Sequence, residues 1–112
     1  MEIGKGQVYI ADLNPRIGTE PGKVRPVVVV QTDLLNGLHP STVVCPITTH
    51  VQPKAQVLRV HLVAGEAGLK APSDVMVDQI RAIDNRRLIR AIGTISRRSL
   101  EKLLQNLHIL LA

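Results

Sequence analysis

Phenylalanine and tryptophan are absent and tyrosine occurs once, at Tyr9, so this 112-residue chain carries almost no aromatic surface. RNA-binding modules that stack bases on aromatic platforms are thereby excluded. Cysteine also occurs once, at Cys45, which rules out an intrachain disulfide and any metal site built on paired cysteines. No stretch approaches the roughly 18 uncharged apolar residues of a membrane-spanning helix. The opening Met-Glu-Ile-Gly-Lys lacks the basic region and apolar stretch of a secretory signal. Charged residues make up only 21% of the chain and no long polar tract occurs, so wholesale disorder is excluded as well. The expectation is a cytoplasmic protein without a membrane partner.

What the chain does contain is aliphatic residues. Fourteen Val, ten Ile and fourteen Leu supply one core for a single domain spanning residues 1–112. The net charge is +5, and its distribution is uneven. Between Arg81 and Lys102 stand seven basic residues and two acidic ones, so this stretch holds the whole surplus. Such a concentration suits a polyanionic partner, although a solvated basic face accounts for it equally well.

The first three-quarters of the chain reads as strands. Gln7–Ala11 alternates in polarity, Arg25–Gln31 is nearly all valine, and Thr42–Thr49 is β-branched. The valine run has the continuity of a strand buried on both faces, with Pro26 near its start, where a missing donor is tolerated. Pro46 implies a bulge or an edge position for the third strand. Asp33–Gly37 suggests one helical turn. Gln56–Leu62, Val75–Ile83 and Arg90–Ile95 are further strands. Leu100, Leu103, Leu104, Leu107, Leu110 and Leu111 then switch to the spacing of an amphipathic helix, with Ser96 as its N-cap. The implied architecture is five to seven short strands closing on themselves, with one helix laid against them. Asp12–Val24, a 13-residue run of turn formers, is longer than a hairpin requires and points to a functional loop.

Three blocks carry a family resemblance. The first runs from Gly6-Gln7-Val8-Tyr9 through Asp12-Leu13-Asn14-Pro15 to Gly18-Thr19-Glu20-Pro21-Gly22-Lys23-Val24-Arg25-Pro26 and the valines. The second is Pro46-Ile47-Thr48-Thr49, and the third Asp78-Gln79-Ile80-Arg81-Ala82-Ile83-Asp84. Together, and in this order, they resemble the MazF/PemK toxin family over nearly the whole chain. The resemblance implies a small SH3-like barrel of the CcdB/PemK type, mainly β with a C-terminal α-helix. It implies a homodimer, cleavage of single-stranded RNA at a specific sequence without a cofactor or metal, and a cognate antitoxin that covers the active site. The family's catalytic pair falls on Arg25 and Thr48, and Glu20 matches an acidic position tied to activity.

These residue types suit the chemistry. Cleavage by attack of a 2′-hydroxyl on the adjacent phosphorus needs positive charge on the phosphorane oxygens, a route off for the hydroxyl proton and a proton for the leaving oxygen. The planar fork of Arg25 can grip two phosphate oxygens and stays charged. Thr48 can donate from a rigid strand. Glu20 is the candidate for the hydroxyl proton, although a carboxylate beside an arginine is a weak base. Lys23, Thr49, His50, Gln79 and Arg81 are candidate substrate contacts. If the third strand continues, His50 shares a face with Thr48 and is placed to protonate the leaving group. Each also has an ordinary reading: a surface arginine, a strand-forming threonine, a solvated loop glutamate, an exposed histidine, and an ion pair of Arg81 with Asp78 or Asp84. His39, Cys45, His50 and His61 match no zinc spacing. Base recognition falls to the loops Asp12–Val24 and His50–Gln56, which flank the catalytic candidates. A non-catalytic nucleic-acid-binding barrel is the alternative. A gyrase inhibitor of the CcdB kind would need a C-terminal Trp-Gly-Ile, and this chain ends Leu110-Leu111-Ala112.

Overall fold

A computed structural model describes residues 2–15, 17–19 and 23–112. Among the described residues seven strands, β1 (Gln7–Asp12), β2 (Val24–Val29), β3 (Ser41–Thr48), β4 (Arg59–Leu62), β5 (Ser73–Met76), β6 (Arg81–Asp84) and β7 (Leu88–Thr94), precede one helix, α1 (Arg97–Leu111). All pairings are antiparallel, in the order β4-β5-β3-β2-β1-β7, with β6 also paired to β3. This is the mainly β architecture with a C-terminal helix that the sequence predicts.

The valine run is buried on both faces, as its continuity requires. Val28 and Cys45 face one apolar cluster, which includes Val8, Ile47, Val75 and the helix residues Leu103 and Leu107. Val27, Val29 and Val44 face a second cluster, with Tyr9, Leu13 and Leu88. Alternation along β2 thus splits consecutive valines between two cores. The Tyr9 ring is buried, and its hydroxyl lies 3.0 Å from both the Glu2 carbonyl and Gln7 Oε1, which gives the polar tip its partners.

Helix α1 begins where expected. The Ser96 hydroxyl accepts from the Ser99 amide at 3.1 Å and so caps the first turn. Leu103 and Leu107 are buried and Leu100 and Leu104 pack against the core, whereas Leu110 and Leu111 remain exposed. The last turn therefore runs past the barrel it covers.

Three sequence expectations change. Pro46 lies at neither a bulge nor an edge, because β3 is an interior strand paired to β2 on one side and to β6 and β5 on the other. It is tolerated there because the second side changes partner at this point: β6 pairs through Val44 and β5 begins at Ile47. No ladder donor is required in the gap. Val75–Ile83 is two strands rather than one, divided by a 3-10 turn at Val77–Gln79. Val77 keeps its side chain in the core through that turn, so the apolar spacing conceals the break. The strand expected at Gln56 begins only at Arg59; ahead of it the Gln56 carbonyl is taken by the Asn106 side chain rather than by a neighbouring strand. Asp33–Gly37 forms successive turns, with Gly37 at φ 82°.

The barrel seam is closed by backbone packing. A turn at Glu66–Gly68 presses on β7 so tightly that a Cβ on Gly68 would lie 2.2 Å from the Ile92 carbonyl oxygen. A Cβ on Gly93 would lie 2.5 Å from the Ala67 carbonyl carbon. Gly93→Ala is accordingly expected to destabilise the fold by about 1–3 kcal/mol, since a backbone strap cannot rotate away as a side chain can. A lowered urea midpoint checks this, and an unchanged midpoint would contradict the packing. A second expectation concerns Cys45, whose thiol is pushed up to about 12 by burial, with the charge of Asp78 adding to it. At pH 8 the thiol is protonated and enclosed, so an aromatic disulfide reagent should label it only after urea unfolding.

Candidate functional site

The site begins where the β2–β3 ladder stops. Val29, Val28 and Val27 pair with Val44, Cys45 and Pro46, and the Val30 amide donates to the Val43 carbonyl at 3.0 Å. Alternation from that bond makes Val28 and then Pro26 the residues whose N–H would face β3, Pro26 opposite Ile47. Proline has no N–H, so the ladder ends and the two strands fork. The same register continued two residues further sets Arg25 opposite Thr48. Each tine of the fork is held from outside: Arg25 pairs with Ala11 of β1, and Thr48 with Asp74 of β5.

A cleft of about 410 Å³ fills this fork. Lys23, Arg25, Thr48 and Thr49, all candidates from the sequence, line it together with Lys70 and Arg90. Four of the described lining residues are cations and none is acidic, while Ile47, Leu69 and Ile92 supply apolar walls. A concentration of basic side chains in a cleft favours an anion. A larger groove of about 660 Å³, between α1 and β4, sets Arg59, His61, Arg98 and Lys102 against Glu66 and Glu101 and has no such single sign.

Thr48 is the last residue of β3. Its Oγ1 accepts from the His50 amide at 3.1 Å, so the hydroxyl proton is left to point elsewhere. Lys23 enters β2 with a left-handed φ of 58°, held by its amide donating to Asn14 Oδ1 at 2.7 Å while its carbonyl accepts from Leu13 at 2.9 Å. A non-glycine residue held in this conformation beside the cleft fixes where the long loop rejoins the sheet.

The other candidates lie elsewhere. Glu20 falls outside the described residues. The chain turns after Thr48, so the continuing strand that would align His50 with it does not exist, and the exposed His50 is not among the cleft-lining residues. Gln79 and Arg81 are also outside the cleft, with Arg81 paired to Val44, four residues along β3 from Thr48. The ion pair of Asp84 is made with Arg86, at 3.0 Å, and not with Arg81. That contact and its hydrogen bonds hold the Asp84 carboxyl at about 2.

The basic surplus does not form one face either. Arg90 enters the cleft, Arg98 and Lys102 line the α1 groove, and Arg97 pairs with Glu101. Arg87 Nη1 donates to the Asp12 and Asn14 carbonyls, tying down the base of the long loop. Among the described residues, no three His, Cys, Asp or Glu side chains are grouped as metal ligands would be. No described helix is long and apolar enough to cross a membrane.

Sequence reasoning missed one cluster. Asp74, fully buried in β5, accepts from Arg59 Nη1 at 3.1 Å, His61 Nδ1 at 2.6 Å and the Gln52 amide at 2.8 Å. Burial alone would raise its carboxyl, but these hydrogen bonds outweigh burial and hold it below the usual range. The signal was present in the alternation of Arg59 and His61 on one face of β4; their shared partner was not.

Comparison with known proteins bears on the family and the fold. Residues 4–111 match the model of the PemK-like, MazF-like toxins of type II toxin–antitoxin systems. The chain is 37% identical over 112 residues to Endoribonuclease EndoA of Bacillus subtilis (strain 168), covering 100% of this chain and 97% of the relative. In structure it is similar to MazF from Deinococcus radiodurans, with a TM-score of 0.84 and 25% identity over 99% of this chain and 97% of that one. It is also similar to the Mycobacterium tuberculosis toxin MazF-mt6, with a TM-score of 0.76 and 26% identity over 92% of this chain and 93% of that one. The fork at Arg25 and Thr48 thus sits in a chain that belongs to the PemK-like, MazF-like toxin family of type II toxin–antitoxin systems.

Proposed function

We propose that this chain is an endoribonuclease toxin that cuts single-stranded RNA, chiefly messenger RNA, at a specific sequence. The observation that carries the reading is the cleft at the fork: Arg25 and Thr48 both line it, with four cations and no carboxylate among its described lining residues. A phosphodiester is the ligand for which that set is suited. The 37% identity to an endoribonuclease supports it.

The reaction follows from the groups present. The 2′-oxygen loses its proton and attacks the adjacent phosphorus, the bond to the 5′-oxygen breaks, and that oxygen takes up a proton. The products are a 2′,3′-cyclic phosphate and a 5′-hydroxyl. Arg25 meets the equatorial oxygens, where charge grows on the way to the phosphorane. Thr48, its oxygen already accepting from the His50 amide, donates its hydroxyl proton to one of them. Lys23, Lys70 and Arg90 attract and orient the backbone, with Thr49 beside them. Glu20 is the candidate for proton transfer, since His50 lies outside the cleft lining. Arginine supplies the charge that a metal would otherwise bring, so we assign the reaction no metal and no cofactor. The partners are a cognate antitoxin, as expected of the family, and a second copy of the chain. Exposed Ile109, Leu110 and Leu111 at the end of α1 provide apolar surface suited to such contacts.

Removal of Arg25 should lower the chemical rate more than it weakens binding. Arg25→Ala is expected to cost about 10²–10³-fold in single-turnover cleavage, and Arg25→Lys should restore only part, because an ammonium lacks the two-pronged geometry. A folded Arg25→Ala protein that cuts the mapped site at the wild-type rate would sink the assignment. Cleavage should persist in excess chelator and leave cyclic-phosphate ends; 5′-phosphate ends, or activity restored only by magnesium, would overturn the mechanism. With three or four phosphate contacts, binding should fall with salt at a log–log slope of about −2 to −3. Sedimentation showing only the 12.2 kDa species would refute the dimer.

A further inference from the structure

The segment that follows Thr48 is tied down from beneath by side chains. The Gln52 amide donates to Asp74 Oδ2 at 2.8 Å, Arg59 Nη1 donates to the His50 carbonyl at 3.0 Å, and His61 Nε2 lies 3.1 Å from the Ala55 carbonyl. Asn106 of α1 closes the far end by donating to the Gln56 carbonyl at 3.1 Å. The first three ties converge on one group, because Arg59 and His61 are themselves held by Asp74, at 3.1 and 2.6 Å.

The same carboxylate connects to the Thr48 hydroxyl. Asp74 is the cross-strand partner of Thr48 on one side and of His61 on the other. Directly opposite residues present their side chains to the same face, so Thr48, Asp74 and His61 form a row across β3, β5 and β4. From Asp74 the path runs through Arg59 to the His50 carbonyl, and the amide of that same residue donates to Thr48 Oγ1.

A fully buried carboxylate is an expensive way to hold a strand together. An apolar residue of similar size generally stabilises at least as well as a buried ion pair, whose best-attested use is to impose one arrangement over others. Asp74 stands directly before Val75 and Met76 in a strand whose residues are all buried, and its hydrogen bonds lead to the loop and the fork rather than into the core.

We propose that Asp74 is a positioning residue for RNA cleavage. Through Gln52 and His61 it fixes the His50–Gln56 loop, to which we assign base recognition, and through Arg59 and the His50 peptide it orients the Thr48 hydroxyl. This rests on the nuclease reading above. Nothing in it requires Asp74 to touch the substrate.

The test uses Asp74→Asn, which keeps the shape but loses the charge and turns a donor toward Arg59 or His61. Single-turnover rates on the mapped RNA motif and on single-base mismatches of it should show discrimination reduced by about fivefold or more. The Thr48 arm is tested by a double-mutant cycle: in a Thr48→Ala background, Asp74→Asn should cost much less than it does alone, because the hydroxyl it orients is gone. Amide exchange at Gln52 should quicken while exchange in the β2–β3 ladder does not. If Asp74→Asn does not fold, His61→Gln at a side chain 42% exposed tests the loop arm and Arg59→Gln tests the hydroxyl arm by the same readouts. Undiminished discrimination, or losses that simply multiply in the cycle, would overturn the proposal while leaving the nuclease reading in place. A wild-type protein that cuts no RNA would overturn the nuclease reading, and the proposal with it.

Discussion

Strand β3 is the constraint on which the rest of the molecule depends. It pairs with β2 along one side and divides the other between β6 and β5. Its residues feed both cores, with Cys45 and Ile47 in one and Val44 in the other. Its last residue, Thr48, is placed by everything paired upstream of it. The register of β3 also decides what Thr48 faces. A slip of one residue would turn the threonine away from Arg25 and expose an apolar side chain in its place.

Two prolines shape the cleft by what they lack. Pro26 cannot supply the amide that would carry the β2–β3 ladder on to Ile47, so the strands part just where Arg25 and Thr48 stand. Pro46 falls where β3 changes partner and needs no donor. The opening is rigid because the outer strands hold each tine. Such a site loses little to reorganisation when a charged ligand arrives, which is the condition under which fixed donors act most strongly on developing charge.

Charge is used here by placement rather than by sum. The excess between Arg81 and Lys102 is distributed over local ion pairs, a loop tie from Arg87, the α1 groove and the cleft. Of that stretch only Arg90 lines the cleft, beside Lys23, Arg25 and Lys70, which come from other parts of the chain. The basic residues among its described lining give this smaller cleft its sign; the larger groove has two glutamates among its basic residues.

The amino-acid order by itself determined the local elements and much of the site. The valine run, the leucine spacing and Ser96 act over a few residues, so β2 and α1 were legible, and the blocks around Arg25 and Thr48 marked the catalytic candidates. The tertiary structure decided what depends on distant partners. The break within Val75–Ile83 was hidden because Val77 stays in the core through the turn. The arrival of Lys70 in the cleft depends on the strap that Gly68 and Gly93 allow to pack on β7. The convergence of Asp74, Arg59 and His61 needs β4 and β5 in register, with residues as much as 22 positions apart meeting at one carboxylate. Periodicity reports which face a side chain takes; only the folded sheet determines what it meets there.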